Sequence, residues 1–426
     1  MSFATLTSPL QQHSDKLLCW LIPLFLLVDC INGALLQLHG FSYGLSVFYK
    51  LLLLLLMALV LLVQQPKLVL GLLLLLLLML LGPALQWPVL AQRWLLADIQ
   101  LAIKALSPLL AFAYLVSLLQ RSPTAAQVLF KHTLIISALV LLLNAVAGLA
   151  GFGFTAYQPL DGVAQSFLGI KGFFYSTNEL SAVLLVLSCA LLVLCWPRHK
   201  LAYLGISATA LVIAVLLLTK TGLFGVLLLV LFIPLLMQPP GFWQRQRKVL
   251  YWLVLAMGLV LLAVLFNGES LLKLLGIYDK LSFVYQQRGI SGILLSSRDY
   301  YAGRIWQTTA EHYSDWQRML GVGQGGVALY LKKYFAELDW FDLLVFHGVA
   351  GLLAFVLCFA VFFRRSWQLR ANGAGRSLLL LNLLLLLVSS VAGHILTSGM
   401  LWLPWALCNA LLVHQHQLRS KDERYS

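Results

Sequence analysis

Three acidic side chains lie within the stretch ELDWFD, residues 337–342, late in the chain. Glu337, Asp339 and Asp342 come just before an apolar run, residues 343–363, that is long enough to cross a membrane. Acids are favoured at helix N-termini, which accounts for Asp342 as a cap but accounts poorly for Glu337, farther upstream. A carboxylate at a membrane surface can accept a proton from a reacting hydroxyl, so we interpret Glu337 as a general base.

Cationic side chains that suit phosphate oxygens precede this acidic stretch. Arg298, in LLSSRDYYAGR, offers a fixed fork of donors, and Arg288, Arg304 and Arg318 add to the local supply. The competing interpretation of each arginine is a solvated loop charge. Lys220, in LLLTKTGLFG, is either a snorkelling lysine or a second cation for a diphosphate, with Thr219 and Thr221 as hydrogen-bond donors.

Other polar residues flank or interrupt apolar segments. In KGFFYSTNELSAVLL, the run Thr177, Asn178 and Glu179 can cap a helix, and a polar helix start can also bind a substrate. Charged groups within membrane segments are costly, so Asp29 and Lys50 are expected to pair. The same argument applies to Lys104 and His394, and such residues are often structural.

The composition is that of a membrane protein. Of 426 residues, 61% are hydrophobic and only 10% are charged, where a soluble chain carries about 25%. The six cysteines all fall in apolar segments and predict no disulfide framework. The sequence contains no P-loop, dinucleotide fingerprint, HExxH zinc motif or G-x-S-x-G elbow, and we predict neither a metal nor a cofactor.

Apolar runs of about 20 residues predict an all-α polytopic protein with twelve transmembrane helices. The predicted segments are 17–36, 44–64, 67–86, 97–119, 128–150, 178–196, 201–219, 222–238, 249–267, 343–363, 377–396 and 399–415. They divide the chain into nine helices in residues 1–267, one large loop in 268–342, and three helices with a tail in 343–426. Helical spacing of apolar residues in DYYAGRIWQTTAEHYSDW predicts that the loop consists mostly of short helices.

The distribution of cations predicts how the segments are oriented. With both termini placed in the cytoplasm, sixteen of the 29 cations fall on the inner side, whereas the short outer loops hold only Arg93, Lys171 and Lys220. The large loop then lies outside. This topology explains the net charge of +14 without any nucleic-acid partner.

Several stretches, in the same order, resemble the O-antigen polymerase and ligase superfamily of membrane glycosyltransferases. The stretches are GFFYSTNELSAVLLVL, LLTKTGLFGVLLLVL, LLSSRDYYAGRIW, MLGVGQGG and ELDWFDLLVFHGVAGLLAF, and the likeness covers roughly residues 165–400. The ligases of that superfamily carry a histidine eleven positions before the glycine of a G-x-x-G helix. Here that glycine is Gly348 and the earlier position holds Glu337, which favours the polymerase branch. Lys220 also departs from the family pattern, where arginine is usual.

The resemblance implies a GT-C-like enzyme of the bacterial inner membrane with its large loop in the periplasm. It implies metal-independent, inverting transfer of a glycan from undecaprenyl diphosphate, to build O-antigen of lipopolysaccharide, capsule or exopolysaccharide. Arg298 and Lys220 would hold the diphosphate and Glu337 would act as base. Supporting roles fall to Asp339, which orients the site or binds sugar, and to Asn178, His394, Arg288 and Arg304. A membrane protein that regulates chain length is an expected partner beside the bilayer and the lipid-linked glycans.

Three other functions remain open at this stage. A ligase that moves finished glycan to a lipid or protein acceptor belongs to the same superfamily, although the missing histidine argues against it. A secondary transporter with twelve spans is a different class, but the two halves show no repeat. A non-enzymatic assembly scaffold would not require Arg298 or Glu337.

Overall fold

The computed structural model of the chain describes residues 9–41, 44–86, 91–157, 168–239, 241–248 and 278–425, with single positions at 251, 255, 258 and 273. Helices dominate this part of the chain, which also contains a two-stranded antiparallel sheet. The elements are α1 (Pro9–Leu21), a 3₁₀ helix (Ile22–Leu24), α2 (Phe25–His39), α3 (Leu45–Gln64), α4 (Pro66–Gln86), α5 (Gln92–Arg121), α6 (Pro123–Leu149), β1 (Phe154–Thr155), β2 (Ile170–Gly172), α7 (Thr177–Cys195), α8 (Lys200–Leu217), α9 (Lys220–Leu236), α10 (Phe242–Arg245), α11 (Tyr278–Leu295), α12 (Arg298–His312), α13 (Asp315–Leu320), α14 (Gly323–Ala328), α15 (Asp339–Gln368), α16 (Gly373–Val391) and α17 (Trp402–Tyr425).

Nine helices in the described ranges are long and apolar enough to cross a membrane. One of them, Gln11–His39, runs through α1, the 3₁₀ turn and α2, and the others are α3 to α8, α15 and α16. Two further predicted segments correspond to the 17-residue α9 and to α17. The predicted segment 249–267 lies almost wholly outside the described residues. An all-α, multi-pass membrane protein is therefore confirmed, whereas the count of twelve spans and a GT-C architecture stay predictions.

Short helices follow one another where the large loop was predicted. The described part of that loop contains α11, α12, α13 and α14, and the backbone of α11 is broken at Gly289. Helix α15 begins at Asp339, earlier than the predicted start at residue 343, so Asp339 and Asp342 lie inside its first turn.

The centre of the bundle consists of α5, α7 and α17, with α16 packed beside them. Trp402 and Trp405 of α17 are among the largest fully buried side chains. The Trp405 indole nitrogen donates to Asn382 Oδ1 at 2.8 Å, and Asn382 Nδ2 donates to Asn409 Oδ1 at 2.8 Å. Because lipid tails offer no hydrogen-bond partners, these contacts fix α16 against α17.

Helix α15 is interrupted at Gly348, where φ is 63° and ψ is −151°. Only glycine adopts this conformation readily. A Cβ at Gly348 would also overlap the Met319 carbonyl oxygen, since the end of α13 packs directly against the break. The motif that the resemblance singled out is therefore a point where one helix changes direction against the loop.

The predicted pairing of Asp29 with Lys50 is present, with Lys50 Nζ donating to Asp29 Oδ1 at 2.6 Å. Ser46 also donates to Asp29. Lys50 and Lys104 both lie beside Gly399, in the connection between α16 and α17. Polar residues of two spanning helices, α3 and α5, thus lie beside that connection.

Candidate functional site

The structure brings the predicted base and the predicted phosphate-binding arginine into contact. Arg298 Nη2 donates to Glu337 Oε2 at 3.0 Å, and the two side chains are only 9% and 29% exposed. Arg298 is the first residue of α12, and Glu337 lies in the turn before α15. Among the described residues, the buried Arg298 Nε has no hydrogen-bond partner. The guanidinium therefore has donor capacity beyond the carboxylate that it binds.

A second cation, Lys333, lies on the other side of the carboxylate. Its Nζ is 3.4 Å from Glu337 Oε1 and 4.1 Å from the centre of the Tyr301 ring. Burial opposes ionisation of Glu337, but the charges of Lys333, Arg298 and His394 outweigh burial and hold its pKa below the ordinary value of 4.5. Glu337 is thus ionised at neutral pH, as a general base must be.

Lys220 reaches the same region from a distant part of the sequence. Its Nζ donates to Ser296 Oγ at 3.3 Å, two residues before Arg298. The hydroxyl of Thr219, predicted as a hydrogen-bond donor to a diphosphate, already has partners within the protein. Its Oγ1 caps α9 by accepting from the Gly222 amide at 3.0 Å, and it lies 2.5 Å from Ser181 Oγ. Arg298, Lys333, Lys220 and Glu337 together are called the charged cluster below.

The backbone around the charged cluster is strained. In the described part of the chain, five residues other than glycine have a positive φ, between 52° and 66°: Leu218, Ser296, Ser297, Glu337 and His394. Each lies in or within two residues of the cluster, or supplies a charge that acts on Glu337. Residues with side chains rarely adopt this conformation, and such strain concentrates at functional sites. The sequence carried no signal for it.

Asp339 organises the loop that joins α16 to α17, residues 392–401. Its carboxylate is 1% exposed and accepts five hydrogen bonds of 2.6–3.0 Å. The donors are the amides of His394, Ile395 and Leu396 and the hydroxyls of Ser389 and Thr397. Asp339 thus holds this loop against α15, and its oxygens are occupied by the protein rather than open to a sugar.

Asp342 holds the turn that carries Glu337. Its oxygens accept from the amides of Ala336 at 2.9 Å and Leu338 at 3.1 Å, on either side of Glu337. The sequence predicts Asp342 as the cap of α15, but Asp342 lies inside the first turn of the helix. From there its carboxylate accepts from amides of the preceding loop. It fixes the backbone from which Glu337 projects.

Glu179 ties the other end of the α16–α17 loop to α7. Its Oε2 accepts from Ser398 Oγ at 2.6 Å and from the Gly399 amide at 2.9 Å. The predicted capping of α7 from Thr177 is wrong, because the cap is Ser176, whose Oγ accepts from the Glu179 amide. Asn178, the second residue of α7, is partly buried, and its role toward a substrate stays a prediction.

His394 and Arg304 differ in how close they come to the base. His394 lies in the α16–α17 loop and its charge acts on Glu337, so the two are brought together. Arg304 is exposed and donates to Tyr300 Oη at 3.4 Å, and no described contact joins it to Glu337. The side chain of Arg288 lies outside the described part of the chain.

Tyr157 is a member of the site that sequence reasoning missed. Its hydroxyl donates to the Leu218 carbonyl at 3.2 Å, next to the strained turn that precedes Lys220. Burial raises the pKa of its phenol, and the Arg298 charge partly offsets that rise. The phenol therefore stays protonated, close enough to Arg298 to be affected by its charge. The sequence around Tyr157 carries no motif that would have identified it.

The cluster is suited to binding an anionic leaving group beside a base. Cations from α12 and the loop before α15 contact one carboxylate, and Lys220 of α9 bonds Ser296, two residues before Arg298. Such an arrangement suits phosphate binding beside a proton acceptor. No group of three His, Cys, Asp or Glu side chains that suits a metal ion occurs within the described ranges. Comparison of the chain with protein-family models, curated proteins and solved structures gives no match.

Proposed function

We propose that this protein joins lipid-linked oligosaccharide repeat units into a polysaccharide. The observation that carries the proposal is the 3.0 Å contact between Arg298 and Glu337, with Lys220 hydrogen-bonded two residues away from Arg298. This geometry supports the proposal, because a carboxylate and two cations then lie in one region of a multi-pass membrane protein. The order of sequence stretches that resemble O-antigen polymerases supports the same assignment.

The reaction is an inverting displacement at the anomeric carbon of the donor. A hydroxyl of the acceptor's terminal sugar attacks that carbon, Glu337 takes the hydroxyl proton, and the bond to the diphosphate oxygen breaks. The diphosphate leaves with the bonding electron pair, and Arg298 and Lys220 stabilise its charge. The donor is a glycan on undecaprenyl diphosphate, and the product is O-antigen, capsule or exopolysaccharide.

The contacts of Glu337 imply that donor binding activates the base. In the structure, Arg298 and Lys333 hold the carboxylate in a weakly basic state. A bound diphosphate competes for Arg298, which removes one cation from Glu337 and raises its pKa toward a value suited to proton transfer. Proton removal is thereby coupled to the presence of the leaving group.

The proposal includes the setting of the enzyme. The nine described spans, α9, α17 and segment 249–267 make up twelve crossings of the bacterial inner membrane, with both termini cytoplasmic and α11 to α14 periplasmic. A chain-length-regulating membrane protein is the proposed partner. The carboxylate at the position of the ligase histidine favours polymerisation over transfer to another acceptor.

The direct test uses the purified protein in nanodiscs with undecaprenyl-diphosphate-linked repeat units from the host strain. We expect a ladder of products on a gel, spaced by one repeat unit, without added metal. A single larger product on a non-repeat lipid acceptor would instead establish a ligase. Absence of any glycan transfer by well-folded protein would contradict the proposal and leave transport as the next hypothesis.

The rate should depend on pH in a way that reports Glu337. Because the base must be ionised, kcat/KM falls as pH drops through the pKa of Glu337 in the free enzyme, which lies below 4.5. The acidic fall in kcat should occur at higher pH than the fall in kcat/KM. The reason is that the bound diphosphate draws Arg298 away from Glu337 and so raises the pKa of the carboxyl group. Lys333→Met should move the kcat/KM limb to higher pH, because it removes a cation 3.4 Å from the carboxylate.

Lys332→Met is the matched control for that shift, since Lys332 is an exposed neighbour with the same charge. It should leave the pH profile where it is in the wild type. An equal shift in both variants would mean that the general positive field, rather than the Lys333 contact, sets the limb. If the pH profile of kcat/KM shifts in neither Lys333→Met nor Lys332→Met, Glu337 is not the group whose titration sets the rate.

A further inference from the structure

An open pocket of about 330 Å³ lies between α12, α13 and α15, away from the charged cluster. Its lining includes Trp306, Thr309, Arg318, Met319, Val345 and Val349. Val345 and Val349 stand on either side of Gly348, where α15 is broken. Irregular backbone in a membrane-spanning helix is tolerated where it is buried in protein or lines a cavity, and here it lies beside one.

Thr309 and Asp315 contribute polar groups to the pocket, and the cation in its lining is Arg318. Its guanidinium lies over the Trp306 ring, 4.2 Å from the ring centre, and its Nη1 is 3.4 Å from Asp315 Oδ1. Asp315 is 94% exposed, so this pair is weak. The buried Arg318 Nε has no hydrogen-bond partner in the part of the chain that the structure describes. The arginine is thus held in place with a donor to spare for a phosphate oxygen.

Apart from Arg318, Thr309 and Asp315, the lining is apolar, and part of it belongs to the spanning helix α15. Val349 is 54% exposed and Met319 is 52% exposed. Exposed apolar side chains on a helix that crosses a membrane face lipid chains. The pocket therefore complements a molecule with an anionic head beside Arg318 and an apolar chain along α15.

The geometry relates this pocket to the charged cluster through one helix. Arg298 opens α12 and Trp306 lies eight residues later, which corresponds to about 12 Å along the axis. The proposed polymerisation requires two lipid diphosphates at once. The donor's diphosphate lies at the reacting carbon, whereas the acceptor's own diphosphate lies one glycan away from the hydroxyl that attacks.

We propose that the pocket between Trp306, Arg318 and Val349 binds the polyprenyl diphosphate of the acceptor while the charged cluster binds that of the donor. This inference rests on the proposed function. Arg318 contacts the acceptor phosphate, and the walls from α13 and α15 hold the first isoprenyl units. The distance between the two sites then favours acceptors whose glycan spans it.

The test uses a polyprenyl diphosphate without glycan that carries a photoreactive group on its first isoprenyl unit. The protein in nanodiscs is labelled, and the attachment sites are mapped by mass spectrometry. We expect two labelled regions, one near Arg298 and one at Met319 and Val349. Val349→Trp fills the pocket and should lower labelling there about tenfold, while labelling near Arg298 persists.

Val356→Trp is the matched control, because Val356 lies seven residues along the same helix and is 52% exposed. It should leave both labelled regions unchanged. An unlabelled pocket in the wild type, or loss of its label to excess phosphatidylglycerol, would overturn the inference. A labelled pocket in a protein that builds no ladder would contradict the proposed function alone, and a ladder with an unlabelled pocket would contradict this inference alone.

Discussion

Glu337→Gln is expected to abolish the product ladder, with a loss of about 10²- to 10⁴-fold in the rate of glycan transfer. Glutamine keeps the shape of the side chain and keeps an oxygen that accepts from Arg298, now 3.0 Å away. It cannot accept the acceptor's proton at any pH near neutrality. The measurement is the initial rate of ladder formation in nanodiscs, together with the thermal unfolding midpoint of the variant.

Glu311→Gln supplies the control for charge, because Glu311 is an exposed acid on α12 whose Oε1 accepts from Gln307 Nε2 at 2.9 Å. It should form the wild-type ladder. If Glu337→Gln also forms the ladder, the polymerase stands and Glu337 loses its role as base. If Glu337→Gln loses the ladder and unfolds at a much lower temperature than the wild type, the carboxylate acts on the fold rather than on the proton.

Asp339→Asn is expected to cost about 3 kcal/mol or more of stability and to abolish the proposed glycan transfer. Five donors converge on this carboxylate, and an amide leaves at least two of them unpaired at about 1–3 kcal/mol each. The α16–α17 loop then loses its attachment to α15. Gly393 of this loop packs so closely against the Glu337 carbonyl that a Cβ there would overlap it. Movement of the loop is therefore expected to displace Glu337 as well.

Two measurements separate the effects of Asp339→Asn on the fold and on the site. Thermal unfolding reports stability, and hydrogen exchange of the amides of residues 394–396 reports whether the loop has been released. Asp299→Asn, at an exposed position in the first turn of α12, should cost less than about 1 kcal/mol and leave that exchange unchanged. Wild-type protection of the loop amides in Asp339→Asn would show that the carboxylate does not hold the loop.

The parts of this structure that the sequence predicts are those that depend on composition over one stretch of chain. Apolar runs of about 20 residues identify membrane segments because the bilayer accepts little else. The pairing of Asp29 with Lys50 follows from the cost of a lone charge among apolar helices. Glu337 stands out because it lies too far upstream to be explained by the N-terminus of the following helix. Arg298 stands out because its guanidinium offers a fork of donors that suits phosphate oxygens.

The parts that escaped prediction depend on contacts between distant residues. Asp339 accepts from amides 55 to 57 positions away, and Tyr157 reaches the site by bonding a carbonyl 61 positions away. Neither contact leaves a trace in local periodicity. The cap of α7 was misplaced by one residue because Ser176 and Thr177 are chemically equivalent as caps, and only backbone geometry distinguishes them.

The α16–α17 loop has a consequence for biosynthesis. It is anchored to Glu179 near the middle of the chain and to Asp339 late in it, yet its own residues emerge from the ribosome after both. Chains are synthesised and folded from the N-terminus onward. Until the final helical pair has inserted, the loop that bonds to Asp339 and Glu179 is missing, and the backbone around Glu337 lacks that support. Under the proposed function, activity is therefore expected only after membrane insertion is complete.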